Sequence, residues 1–361
     1  MSLNPYLKSR FNNSQYVMLD VILALLPLVF VAWLAYGNLA LQQIGISIST
    51  ALITDAIFSA LLLKKRHSYI DGSAVITALL LVFTLSPSTP WYMVVFGSFA
   101  AILFGKTAWG GLGKNRFNPA LVGREFMAVF FASTLSSSTI WETTDLVETA
   151  AFNLFPGLNL PYLSEYLSTA VYKTTGAMGE FSIFAIALGG FYLLIRNRIS
   201  WHIPITLITT FTLMCWCFGD ETLKFSLAGI LLGALYMATD MPSSPTNSSG
   251  KIYYGFCIGL VAFIFVKGGV RYEYMSYSIL LLNGFSPQIS LVFKPQVWGE
   301  TRDWKKSIEA VFMLSLLILS VAFAVLSLYY YDLIPYLIYL YIIYILIKFN
   351  YSFSKKTTHV I

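Results

Sequence analysis

The sequence predicts an all-α polytopic membrane protein: two inverted five-helix halves plus two extra C-terminal helices. Three observations carry that reading. The chain is 57% hydrophobic and only 11% charged, with a mean hydropathy of +0.70, whereas soluble domains are roughly one quarter charged. Its apolar residues fall into near-continuous runs of about 17 to 22, longer than a buried core helix needs and long enough to cross a bilayer. Lys and Arg residues cluster in the short segments between those runs, and they fall unequally on the two sides.

Taken in order, apolar runs bounded by Gly, Pro and charge predict helices at 17–37, 44–63, 73–87, 91–105, 119–134, 181–196, 202–219, 225–240, 252–269, 275–292, 308–330 and 333–349. Residues 1–16 form a polar tail carrying Lys8 and Arg10, and no small-residue cleavage site follows the first apolar run, so the tail is read as retained and cytoplasmic. Pro27 lies inside the first helix as a source of a kink. The third helix is short and ends at Pro87, as expected of a broken helix supported by neighbouring protein.

Residues 17–134 then make the first half and 181–292 the second, and five helices per half invert one half relative to the other. Pro87-Ser88-Thr89-Pro90 in the first half is echoed by Pro242-Ser243-Ser244-Pro245 in the second. Between the halves, residues 135–180 form a long extracytoplasmic loop made acidic by Glu142, Asp145, Glu148 and Glu165. Such length between packed helices suits a functional or partner-binding role as well as a plain connection. Residues 293–361 add a polar linker, two aromatic-rich helices and a basic tail.

With the N-terminus inside, nineteen Lys and Arg residues, Lys106 and Arg124 among them, fall in cytoplasmic segments. Only Lys173, Lys224, Lys267 and Arg271 fall outside. This asymmetry places both termini in the cytoplasm, and the membrane is expected to be a bacterial inner membrane. The net charge of +6 flanks apolar runs instead of lining one helical face, so the partner it implies is the lipid bilayer and not nucleic acid. Cys215, Cys217 and Cys257 lie in apolar runs without a Cys-x-x-Cys pair, and His67, His202 and His359 are scattered. No metal site is expected.

One polar stretch interrupts this pattern between two apolar runs: Gly105-Lys106-Thr107-Ala108-Trp109-Gly110-Gly111-Leu112-Gly113-Lys114-Asn115-Arg116-Phe117-Asn118-Pro119-Ala120-Leu121-Val122-Gly123. Its glycines permit close approach of backbone, its Asn side chains offer donors and acceptors, and Trp109 and Phe117 offer stacking faces. A ligand loop and a tight helix-packing turn both satisfy those properties.

That stretch, with Asp71-Gly72-Ser73-Ala74-Val75-Ile76-Thr77-Ala78-Leu79-Leu80 before it and Ala238-Thr239-Asp240-Met241-Pro242-Ser243-Ser244-Pro245-Thr246 after it, resembles the signature of one family of membrane proteins, the RnfD/NqrB family. Its members are the RnfD component of the Rnf complex and the NqrB component of the sodium-pumping NADH:quinone reductase. The resemblance covers residues 15–292 and leaves the C-terminal extension outside it. It implies a membrane component of a flavin-dependent electron transport complex, coupled to sodium or proton translocation, with other membrane subunits as partners. It also implies that Trp109, Gly110, Gly111, Gly113, Asn115, Phe117, Asn118 and Pro119 lie near a flavin or quinone region.

Family members carry FMN on the last Thr of a Ser/Thr-Gly-Ala-Thr motif. The matching residues here are Thr175, Gly176, Ala177 and Met178. A thioether cannot form a phosphoester, and Tyr172 and Lys173 stand where an acidic residue is usual, so covalent FMN is not expected. A non-covalent flavin, FMN or riboflavin, is the cofactor this leaves. The alternative is a divergent member that acts as an accessory membrane scaffold or transporter, for example in a biosynthetic cluster. Asp55 and Asp240 are the ion-coupling candidates, because a carboxylate within a membrane helix must be paired or hydrated.

Overall fold

The computed structural model describes residues 13–65, 68–141, 176–220, 223–294 and 304–357. Among them the regular structure is helical: α1 (Asn13–Leu63), α2 (Ser73–Phe83), α3 (Trp91–Ala100), α4 (Pro119–Phe130), α5 (Ile183–Ile195), α6 (His202–Phe218), α7 (Leu227–Leu232), α8 (Ser248–Lys267), α9 (Tyr274–Val292), α10 (Trp304–Tyr330) and α11 (Ile334–Thr357). The chain is an all-α, multi-pass membrane protein. Most of the loop expected on the extracytoplasmic side, the linker 295–303 and Thr175 lie outside the described residues.

The loop expected at 38–43 is absent. Its residues Asn38 to Gln43 stay helical, and the chain turns at Gly37 alone, with φ 57° and ψ −137°. A side chain would oppose that conformation, so one glycine replaces a loop and divides α1 into two limbs.

Four helical segments are long and apolar enough to cross a membrane: Ser14–Leu63, Trp91–Trp109, Ser248–Lys267 and Trp304–Tyr330. The helices expected at 73–87 and 225–240 are shorter than predicted. The first stops at Phe83, where Thr84 turns back and its Oγ1 donates to the Leu81 carbonyl at 2.7 Å. Beyond it, the Met178 N–H binds the Leu85 carbonyl at 2.8 Å, and Gln43 Nε2 donates to the carbonyls of Pro87 and Thr89 at 2.5 and 3.0 Å. Broken helices survive in lipid only when neighbouring protein satisfies the freed backbone, and here α1 and the 176–180 turn do so. The second short helix, α7, runs on as a π-helical turn, Gly233–Met237.

The core joins both halves through Leu25, Leu81, Phe83, Tyr254 and Phe265, all of them fully buried. Lipid tails are as apolar as these side chains, so dispersion from close packing, more than expulsion of water, holds them together. The most extensive contact is between α6 and α8. In the extension, α10 packs on α8 and α9 while α11 packs on α4, and Phe312, Met313, Leu316 and Phe323 on α10 face outward.

Candidate functional site

The glycine-rich loop begins where α3 widens into a π-helical turn, Ala101–Lys106, followed by a 3₁₀ turn, Thr107–Trp109. Such widened turns recur at functional sites. Gly110, Gly111 and Gly113 then take φ of 112°, 91° and 78°, a region open mainly to glycine. The loop closes onto α4 through Asn118, whose Oδ1 accepts from the amides of Ala120 and Leu121 at 3.0 and 3.4 Å, with Pro119 at the first helical position. This is the Asn-Pro start expected of a capped helix.

On one flank of this loop lies a buried charge cluster. Lys106 Nζ is 3.1 Å from Asp55 Oδ2 and 3.6 Å from Asp71 Oδ2. Asp55 Oδ1 also accepts from Ser59 Oγ at 3.0 Å, while Asp71 Oδ1 accepts from the amide and hydroxyl of Ser73 at 2.8 and 2.6 Å. The Asp71-Gly72-Ser73 motif therefore starts α2 and helps hold Lys106. Lys106 is buried in the bundle and not in a solvated loop, which corrects its expected place.

The loop also ties the two halves together. Asn115 Nδ2 donates to Asp240 Oδ2 at 3.0 Å, Asn118 Nδ2 donates to the Met237 carbonyl at 3.1 Å, and Arg116 Nη2 donates to the Gly284 carbonyl at 2.8 Å. Asp240 Oδ2 further accepts from Ser243 Oγ at 2.8 Å. The two ion-coupling candidates therefore stand in different surroundings, Asp55 against a cation and Asp240 against neutral donors. A cavity of about 340 Å³ lies here, lined among others by Lys106, Gly113, Asn115, Asn118, Tyr236 and Asp240.

Trp109 and Phe117 lie on the opposite flank. Trp109 Nε1 donates to Tyr341 Oη at 3.0 Å, Tyr341 Oη donates to the Phe104 carbonyl at 3.0 Å, and Lys348 Nζ stands 3.3 Å from the Trp109 ring centre. Phe117 meets Trp109 and Tyr341 edge-on, each at 5.9 Å. The C-terminal helix α11 thus covers the stacking faces. Gly113, Asn115, Asn118 and Pro119 line the cavity, whereas Trp109 and Phe117 pack against the extension. Gly110 faces Lys114 and Gly111 faces Leu63.

A second cavity, of about 440 Å³, is lined by Gly176 and Ala177 together with Arg124, Glu180, Lys224, Arg271 and Tyr272. Met178 is buried, 1% exposed, in the core beside it. Arg124, expected at the cytoplasmic edge, is buried within α4. Its guanidinium donates to the carbonyls of Thr84 and Tyr272. Burial pushes the Glu273 carboxyl up, and Arg124, 4.0 Å away, opposes that shift. The cations at this cavity suit a phosphate group, and Tyr272, stacked on Trp141 at 4.8 Å, offers an aromatic wall. With Lys106 and Arg124 left out as buried residues, the expected distribution is seventeen basic residues on the cytoplasmic side against four outside.

The turn Gly233–Met237 separates the cavities. Gly233 and Met237 line one, Leu235 and Tyr236 the other. Sequence reasoning passed over Lys106, Arg124 and Glu125 as site residues. Their signal was a charge pair, Arg124-Glu125, inside an apolar run, and a lysine at the end of another.

A model of the NQR2, RnfD, RnfE family matches residues 1–299. The chain is 34% identical over 324 residues, 85% of its length and 97% of the relative's, to the D component of the Na(+)-translocating ferredoxin:NAD(+) oxidoreductase complex of Acetobacterium woodii. It is also 34% identical over 326 residues, 84% of its length and 96% of the relative's, to the D component of the proton-translocating ferredoxin:NAD(+) oxidoreductase complex of Clostridium ljungdahlii. Against the D component of the ion-translocating oxidoreductase complex of Pectobacterium atrosepticum the identity is 30% over 343 residues, 80% and 96% of the two chains.

Proposed function

The chain belongs to the NQR2, RnfD, RnfE family, and from that premise we propose that it is the D-type membrane component of an ion-translocating electron transport complex that uses a non-covalently held flavin. Other membrane subunits complete that complex. In this reading both termini lie in the cytoplasm of a bacterial inner membrane and the two halves are inverted, an orientation that the distribution of basic residues supports.

The observation that carries the proposal is the pair of cavities with one π-helical turn between them. A thin wall between two ligand-sized spaces keeps carriers close across a span otherwise filled with insulating side chains. The outer cavity suits FMN: Lys224 and Arg271 would hold the phosphate and Tyr272 would flank the ring. Bound flavin supplies the ability to take up and release electrons. Arg124 would orient the ligand, since its own hydrogen bonds to Thr84 and Tyr272 fix its position. Met178, with its apolar side chain buried, fills the place of a covalent acceptor.

The ion is not chosen by overall similarity, because two relatives of equal identity are named for different ions. Asp240 is the better placed of the two carboxylates to answer a passing cation, since its partners Asn115 and Ser243 are neutral. Asp55 already faces Lys106.

The visible spectrum of gently purified protein, before and after acid precipitation, tests this reading. Flavin that leaves with the supernatant supports it. Colourless protein would overturn the redox role and favour the second reading, an accessory scaffold, which the covering of Trp109 and Phe117 by α11 supports.

A further inference from the structure

Between α4, α9 and the two extension helices lies a third cavity, of about 370 Å³. It belongs to neither space described above. Val321 and Val325 of α10 and Leu337 and Ile338 of α11 form one side, so it exists only because the extension folds back on the family core. Its walls are apolar and aromatic, with Phe117, Phe126, Tyr277, Phe285 and Tyr341 among them. Glu125 is the exception.

Glu125 lines this cavity, the residue is 3% exposed, and neither carboxyl oxygen has a hydrogen-bond partner at normal distance and angle. A carboxylate cannot be left bare in such surroundings, so a proton or a cation must match it. The charged and titratable groups around it do not supply that match. Arg124 is spent on two carbonyls and stands near Glu273, Glu273 is itself acidic, and Tyr277 and Tyr341 are neutral phenols. Among the described residues Ser276 is the one polar side chain close enough to offer the carboxyl a hydrogen bond, and a neutral hydroxyl does not balance a full charge.

The walls decide which cation is acceptable. A metal ion would want several oxygens, about six to eight for calcium, and Glu125 brings two. Water would want about two to four polar partners. A hydrophobic organic cation wants neither: it is weakly hydrated, its body matches apolar walls, and aromatic faces attract its charge. We propose that this cavity binds a hydrophobic organic monocation with Glu125 as its counter-ion, and that a proton competes with the cation for that carboxylate.

The test uses the purified full chain and tetraphenylphosphonium, with binding followed by equilibrium dialysis at stepped pH. Affinity should fall about tenfold per pH unit on the acid side, the signature of one competing proton, and level off on the alkaline side. Glu125→Gln should weaken binding at least about tenfold and abolish the pH dependence. Parent-like, pH-dependent binding in that variant, or no binding to the parent, overturns the proposal.

A second measurement needs no variant. Dicyclohexylcarbodiimide adds to a protonated buried carboxyl: the acid proton moves to one carbodiimide nitrogen, the carboxyl oxygen bonds the central carbon, and rearrangement leaves a stable N-acylurea. Mass mapping should find Glu125 labelled and the labelling suppressed by saturating tetraphenylphosphonium. Labelling of Glu125 that the cation leaves unchanged would overturn the proposal and mean that the cavity takes lipid chains only.

Discussion

Asp55 Oδ2 and Lys106 Nζ stand 3.1 Å apart, both almost wholly excluded from solvent, although fifty-one residues separate them in the chain. Each charge makes the other tolerable in the bundle. Removal of one member of a buried pair typically costs about 3–5 kcal/mol, whereas replacing both by apolar groups is often neutral. Asp55→Asn should therefore lower the thermal unfolding midpoint in detergent, at a cost of about 3 kcal/mol, since Asp71 at 3.6 Å still attends Lys106. The double variant Asp55→Asn with Lys106→Met should recover most of the loss. An unchanged midpoint in the single variant would deny the pair its structural role.

Asn118 serves two elements at once, capping α4 and binding the Met237 carbonyl of the opposite half. Asn118→Ala should cost about 1–3 kcal/mol, combining a lost cap with an unsatisfied buried carbonyl. Asn118→Ser keeps a neutral cap acceptor but cannot reach Met237, and should fall between. Equal stability of Ala and Ser variants, measured by chemical unfolding, would show that only the bond to Met237 matters.

The hydroxyl of Tyr341 links Trp109 to the Phe104 carbonyl. Tyr341→Phe preserves the ring and removes both bonds, so α11 should loosen by about 1–2 kcal/mol. Limited proteolysis should release the C-terminal segment sooner from the variant than from the parent. Equal rates would place the hold of α11 in its aromatic contacts alone.

Reporter fusions at residues 68 and 300 should report cytoplasm, and a fusion at 155 the opposite side, because the basic residues on each flank set the orientation. A cytoplasmic signal at 155 would overturn the helix count before that point.

Co-expression with a flavin transferase of the family should leave the native chain without fluorescence in a denaturing gel, because Met178 has no hydroxyl. Met178→Thr should at the same time destabilise the protein by about 1–3 kcal/mol through loss of a buried side chain. A fluorescent native band mapped to Thr174 or Thr175 would show that the acceptor has shifted by register.

Composition and the placement of charge determined the class of this protein by themselves. Long apolar runs have no stable place outside a bilayer or a core, and the spacing of charge marks where each run ends. Local chemistry was equally legible in the Asn118-Pro119 helix start, because a cap depends on neighbours in sequence. Tertiary structure decided the rest. Nothing in the spacing of Asp55, Asp71 and Lys106 announces that they meet, since pairing of buried charges depends on which helices pack together. A run of residues 38–43 reads as a loop until Gly37 is seen to turn the chain in one step. The unmatched carboxyl of Glu125 is invisible in sequence for the same reason: a charge in an apolar run has a partner or lacks one only once the neighbouring helices are in place, and here two of them come from the far end of the chain.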